Sequence, residues 1–120
     1  MDKAEAMKVR MKQFAIRIVS VVRTLPRNRE GDILGKQLLR SGTAVAANYR
    51  AVCRSRSQAE FISKMNVVVE EADETVFWLE FLVDTEIVPA EKLKLLISEG
   101  NELLAICAAS LRTAKNHKGA

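Results

Sequence analysis

The chain has 120 residues, 48% apolar and 28% charged, which fits one folded domain and excludes a disordered chain. Two prolines and five glycines exclude a collagen-like chain and argue against a turn-rich all-β fold. The net charge of +4 is unevenly spread: residues 1–57 carry 13 Lys and Arg against 4 Asp and Glu (+9), residues 58–120 carry 6 against 11 (−5). Such a split points to a polyanionic partner or to self-association of complementary surfaces.

Turn signals divide the chain into four helical segments. The first spans about residues 2–25, where Met7, Met11, Phe14, Ile18, Val21 and Leu25 step by four and three and draw one apolar stripe. The polar run from Pro26 to Gly31 reads as a loop. The second segment spans about 32–56, with Asp32 as its expected N-cap. Its buried arc is Leu34, Leu38, Val45 and Val52 with Leu39, Ala46, Tyr49 and Cys53. Ser57-Gln58-Ala59-Glu60 matches a capping box and opens the third segment, about 58–85, whose stripe is Phe61, Met65, Val68, Ala72, Thr75 and Leu79. Pro89 fits the first helical position of the fourth segment, about 89–115, with Leu93, Ile97, Gly100, Leu104, Cys107 and Leu111 as its stripe. The tail from Lys115 to Ala120 is polar and is expected to fray. Short connections predict an all-α, antiparallel up-down-up-down four-helix bundle in one domain, 1–120.

Two back faces are not explained by a single bundle. On helix two, Arg40, Ala44, Ala47 and Ala51 lie roughly opposite the apolar arc. On helix three, Glu70, Glu74, Phe77, Trp78 and Phe81 lie away from the stripe. Alanine is also simply a good surface helix former, and a rotated helix three would carry two of the aromatics into the core. The sharper reading is an oligomer interface with aromatic anchors, in which Arg40 meets Glu70 or Glu74 of a neighbour.

Catalysis finds little material. The one histidine, His117, lies in the tail, so no nucleophile–histidine–acid constellation is expected. Cys53 and Cys107 lack the spacing of a zinc pair and read as small buried hydrophobes. No glycine-rich phosphate loop occurs. Glu70, Glu71, Asp73 and Glu74 read as a solvated or ion-paired face rather than a metal site. We expect no enzyme activity, no metal or other cofactor and no small-molecule substrate. No signal peptide or membrane span is visible, so the expected setting is cytoplasmic.

Binding finds more. Lys3, Arg10 and Arg17 recur every seven residues beside the apolar seam of helix one. Arg23, Arg27 and Arg29 carry positive charge into the first loop, and Lys36, Arg50, Arg54 and Arg56 continue it along helix two. Arginine outnumbers lysine nine to four in residues 1–57, and its guanidinium pairs bidentately with phosphate. These side chains are the candidate contacts to an RNA or DNA backbone. With 5% aromatics there is no stacking platform for single-strand readout. The other reading is a structural or protein-interaction ring in which basic and acidic halves satisfy each other between subunits.

The run Gln37-Leu38-Leu39-Arg40-Ser41-Gly42-Thr43-Ala44-Val45-Ala46-Ala47-Asn48-Tyr49-Arg50 closely resembles the second-helix signature of the bacterial four helix bundle protein family, related to proteins encoded in intervening sequences of 23S ribosomal RNA genes. Leu25-Pro26, Phe61-Ile62-Ser63-Lys64-Met65 and Glu71-Ala72-Asp73-Glu74-Thr75 followed by Trp78-Leu79 extend the resemblance over roughly residues 10 to 110. Where the family often places an acidic residue after the Tyr-Arg pair, this chain has Ala51-Val52-Cys53-Arg54, a more cationic helix end. The resemblance implies a four-helix bundle and a ring of five subunits around a central channel; it does not imply an enzymatic reaction. A more distant branch contains the accessory variability determinant of diversity-generating retroelements, a basic pentamer that binds nucleic acid and a reverse transcriptase.

Overall fold

The computed structural model describes residues 1–117, and these form four α-helices: α1 Lys3–Thr24, α2 Arg29–Val52, α3 Gln58–Asp84 and α4 Ala90–Asn116. Each helix packs on its sequence neighbours and α4 closes back on α1, which is the up-down-up-down bundle. The molecule is a rod of 51 × 26 × 21 Å. The expected stripes of α1 and α3 form the core: Met11, Phe14, Ile18, Met65, Val68, Ala72 and Leu79 are all buried. In α4 the buried line runs through Leu96 and Leu103, while Ile97 and Leu104 are only half-buried, so this helix is rotated by a fraction of a turn from the expected setting.

Helix ends account for most of the other differences. Helix α2 starts three residues before the expected position. Its cap is Asn28, whose side chain accepts from the Gly31 N–H at 2.8 Å; Asp32 lies inside the first turn. It ends at Val52, so Arg54 and Arg56 belong to the connection with α3 rather than to a helix. The capping box at Ser57 is half formed. Ser57 Oγ accepts from the Glu60 N–H at 3.0 Å, but the Glu60 carboxylate turns to the Arg56 N–H and to Lys64. Pro89 is the N-cap of α4 rather than its first residue. Helix α3 stops in a Schellman motif: Glu86 takes φ 60°, and the Ile87 and Glu86 N–H groups return to the carbonyls of Leu82 and Val83. Lys115 and Asn116 are helical, which shortens the frayed tail; the expected fraying of Lys118, Gly119 and Ala120 falls outside the described residues.

Close approach of α1 to α2 rests on Gly42. A Cβ there would come within 2.7 Å of the Ile18 side chain, so the backbone of α2 lies directly on a core residue of α1. Leu39 and Cys53, expected in the buried arc, are exposed. Leu39 lies at the edge of that arc, and Cys53 is the C-cap beyond the last residue of α2. Cys107 is buried as expected, and both thiols are free.

The α1–α4 seam is different in kind. It is the least intimate of the four neighbouring pairs. Its polar lock is Arg10, which donates to Glu99 at 2.7 and 2.8 Å and pairs with Glu102 at 3.0 Å. These hydrogen bonds hold the Glu99 carboxyl below the usual range, and Arg17 adds to the effect. Glu99 is largely shielded, so losing Arg10 strands a charge. We expect Arg10→Ala to cost about 1–2 kcal/mol at pH 7. A carboxylate with a lowered folded pKa contributes stability above its unfolded pKa, and that contribution is lost as pH falls through the folded value. Thermal melts of wild type and Arg10→Ala should therefore converge as pH is taken from 7 to about 3.

Candidate functional site

The candidate basic residues separate into two groups. Lys3, Arg10 and Arg17 lie on the side of α1 that turns toward α4. Arg10 is consumed by Glu99 and Glu102, and Arg17 lies close enough to Glu99 to lower its pKa. Arg10 is thus a structural residue, and the seven-residue stripe on α1 is in part a fold-holding device. The second group faces outward. Arg23, Arg27, Arg29, Lys36, Arg50, Arg54 and Arg56 are all exposed and make no ion pair among the described residues.

Local structure explains how the second group converges. Pro26 ends α1, Asn28 starts α2, and the four-residue link folds back between them. Arg23 from the last turn of α1, Arg27 from the link and Lys36 from the second turn of α2 line one shallow groove of about 300 Å³. Asp32 also lines it and is the single carboxylate there. Along α2, Arg29, Lys36 and Arg50 fall on a seven-residue grid with Thr43 in the remaining place, and all four are exposed. A seven-residue step advances about 10.5 Å and keeps to one face. Arg54 and Arg56 lie beyond the end of α2, in the α2–α3 connection. Lys12 was missed by sequence reasoning. It is exposed and eleven residues before Arg23, three helical turns, so both project on the same side of α1. The eleven-residue spacing was the available signal.

The second candidate surface lies on α2 and α3. Arg40 bridges Glu71 at 3.0 Å and Glu74 within the same chain. Glu74 also accepts from the Trp78 indole at 3.0 Å, and its carboxyl is lowered by that bond first and by Arg40 second. Glu70 faces Asn66 instead. The acidic partners of Arg40 are therefore supplied by its own α3, whereas the sequence places them on a neighbour. Ala44 and Ala51 are half-buried and Ala47 exposed. Trp78 tucks partly onto the core, but Phe77 is 53% and Phe81 36% exposed. The three rings form a surface cluster, with Phe77 edge-on to Trp78 at 4.9 Å and stacked on Phe81 at 5.8 Å. By the antiparallel register, Ile33, also 56% exposed, extends this apolar surface onto α2.

Among the described residues no nucleophile–histidine–acid constellation is assembled. His117 caps the C-terminus of α4 and is exposed. Among the described residues, no group of three or more His, Cys, Asp or Glu side chains could hold a metal ion, and no helix is long and apolar enough to cross a membrane.

A solved structure with the same arrangement is that of a protein of unknown function from the S23 ribosomal protein family of Bacteroides thetaiotaomicron. It is 32% identical, superposes with a TM-score of 0.84, and the match covers 92% of this chain and 99% of that one. No curated protein matches. The profile of the 23S rRNA-intervening sequence protein family matches residues 5–109, a stretch that takes in all of α2 and α3, with the Arg40–Glu74–Trp78 network, and most of α1 and α4. The chain belongs to the 23S rRNA-intervening sequence protein family.

Proposed function

We propose that this protein is a non-enzymatic, oligomeric bundle that binds nucleic-acid backbone through the α1–α2 face, as an accessory factor rather than a catalyst. The observation that carries this reading is the contrast in pairing. Arg10 and Arg40 are satisfied by carboxylates of their own chain, whereas among the described residues the cations of the α1–α2 face have none. Unpaired arginines spread along one face suit phosphate and do not suit base readout. Binding should be poor in sequence preference and strongly dependent on salt. With roughly five phosphates neutralised, affinity for RNA or DNA should fall about a hundred-fold or more between 50 and 200 mM salt. Filter binding across that range tests this; a flat salt response overturns it.

The aromatic cluster supports assembly. Phe77 and Phe81 are rigid, apolar anchors of the kind that dominate subunit contacts. A ring of five, which the family resemblance implies, would present five copies of the basic face and raise avidity without new contacts. Phe77→Ser combined with Phe81→Ser should convert the oligomer to a 13.4 kDa monomer in sedimentation at micromolar concentration, with the helical circular dichroism unchanged. The same cluster favours a second reading, a protein-interaction ring without nucleic acid. That reading predicts that no nucleic acid co-purifies, which the absorbance ratio at 260 and 280 nm of the purified protein reports.

A further inference from the structure

The end of the bundle away from the Pro26 link is not filled. There α1 and α4 draw apart and leave a cavity of about 810 Å³ that reaches from the first turns of α1 across to the α2–α3 connection. Its size lies within the range of small-molecule sites. The apolar wall is Met7, Val52, Phe61, Met65, Ile106 and Cys107. Two of these are methionines, whose flexible thioethers adapt to varied apolar shapes.

The polar part of the wall has one sign. Lys3 and Arg10 line it, and no aspartate or glutamate does. Arg10 is engaged with Glu99 and Glu102, while Lys3 makes no ion pair among the described residues. Asp2, the nearest carboxylate in sequence, caps α1 by accepting from the Glu5 N–H, and its charge reaches Tyr49. Burial pushes the Cys107 thiol up to about 11 and the Tyr49 phenol up to about 12, so both stay neutral. Ser55 lines the same cavity, but its Oγ is shut off from solvent.

We propose that this cavity binds a free single-chain carboxylate, a fatty acid, with its acyl chain between α1 and α4 and its head group at Lys3. Nothing in the nucleic-acid reading depends on this site. Its wall also bears on what the ligand is not: Lys3 is its one cation without an ion pair among the described residues, so it offers no cluster of free cations for a phosphate.

Calorimetric titration of the full-length protein with octanoate, decanoate, dodecanoate and decan-1-ol tests the assignment. One equivalent per chain should bind, with affinity rising about fourfold per added methylene. Lys3→Glu should weaken decanoate about tenfold or more and leave decan-1-ol within about twofold. Ile106→Trp, which plugs the wall from a partly exposed position, should abolish binding of both; Ser110→Phe serves as a second plug should the first disturb folding. Absence of saturable binding overturns the proposal, as does uptake of several equivalents, which is surface adsorption. Equal binding of decanoate and decan-1-ol, indifferent to Lys3→Glu, overturns the head-group assignment. Binding that survives in a folded plug variant places the ligand elsewhere and also overturns it.

Discussion

Gly31→Ala should lower the melting temperature by about 10–15 °C, corresponding to about 2–4 kcal/mol. The reason is backbone, not side chain. A Cβ at Gly31 would come within 1.9 Å of the Pro26 carbonyl oxygen and 3.0 Å of its carbonyl carbon. A rotamer change cannot relieve that contact, so the link between α1 and α2 must move. The link carries three dependent features. Leu25 plugs the core beneath it, Asn28 caps α2 through the Gly31 N–H, and Arg27 lines the basic groove. Moving one moves all three, and the loss therefore exceeds that of an ordinary glycine-to-alanine change in a helix, where alanine would be favoured. A thermal melt followed at 222 nm checks it. A change of less than about 3 °C would mean that the link is held less tightly than this packing implies.

How much of this was legible in the sequence depends on how local each feature is. The stripes of α1 and α3 were readable because burial on a helix leaves a three-and-four rhythm that needs only neighbours within the same helix. Phe77 and Phe81 stood out for the same reason, as residues off that rhythm, and both are exposed. The start of α2 was harder. Asn28 and Asp32 are both competent caps, and the choice between them falls to Gly31, whose lack of a side chain lets the first turn lie against Pro26. Arg10 was placed with the phosphate contacts because periodicity tells which face a residue occupies but not what faces it. Its partners lie 89 and 92 positions away on α4. Of the two acids expected beside Arg40, Glu74 is a partner but from the same chain, and Glu71 takes the place of Glu70, because the antiparallel register that brings Glu71 and Glu74 beside it belongs to the folded bundle. The cavity between α1 and α4 had no signature at all. It arises from the separation of two helices, each of which has an ordinary stripe.

Arg23, Arg27 and Lys36 changed together to glutamate should reduce affinity for RNA or DNA by about a hundred-fold or more at 50 mM salt. The three line one groove at the α1–α2 link, are exposed and make no ion pair among the described residues. Substituting them should leave the bundle intact, with only a small change in melting temperature. The salt dependence gives a sharper readout than affinity. If about five phosphates are neutralised, the slope of log K against log salt is about −4.5, and removing three contacts should bring it to about −2. Arg10→Ala is the matched control. It deletes a positive charge of the same basic half, yet that charge is already spent on Glu99 and Glu102. Binding should therefore be nearly unchanged in Arg10→Ala although its stability is lower, the opposite of the triple variant. Should both lose affinity equally, overall charge rather than the α1–α2 face would be the cause. Should neither lose any, the unpaired cations would belong to a protein partner, and the interaction-ring reading would replace the nucleic-acid one.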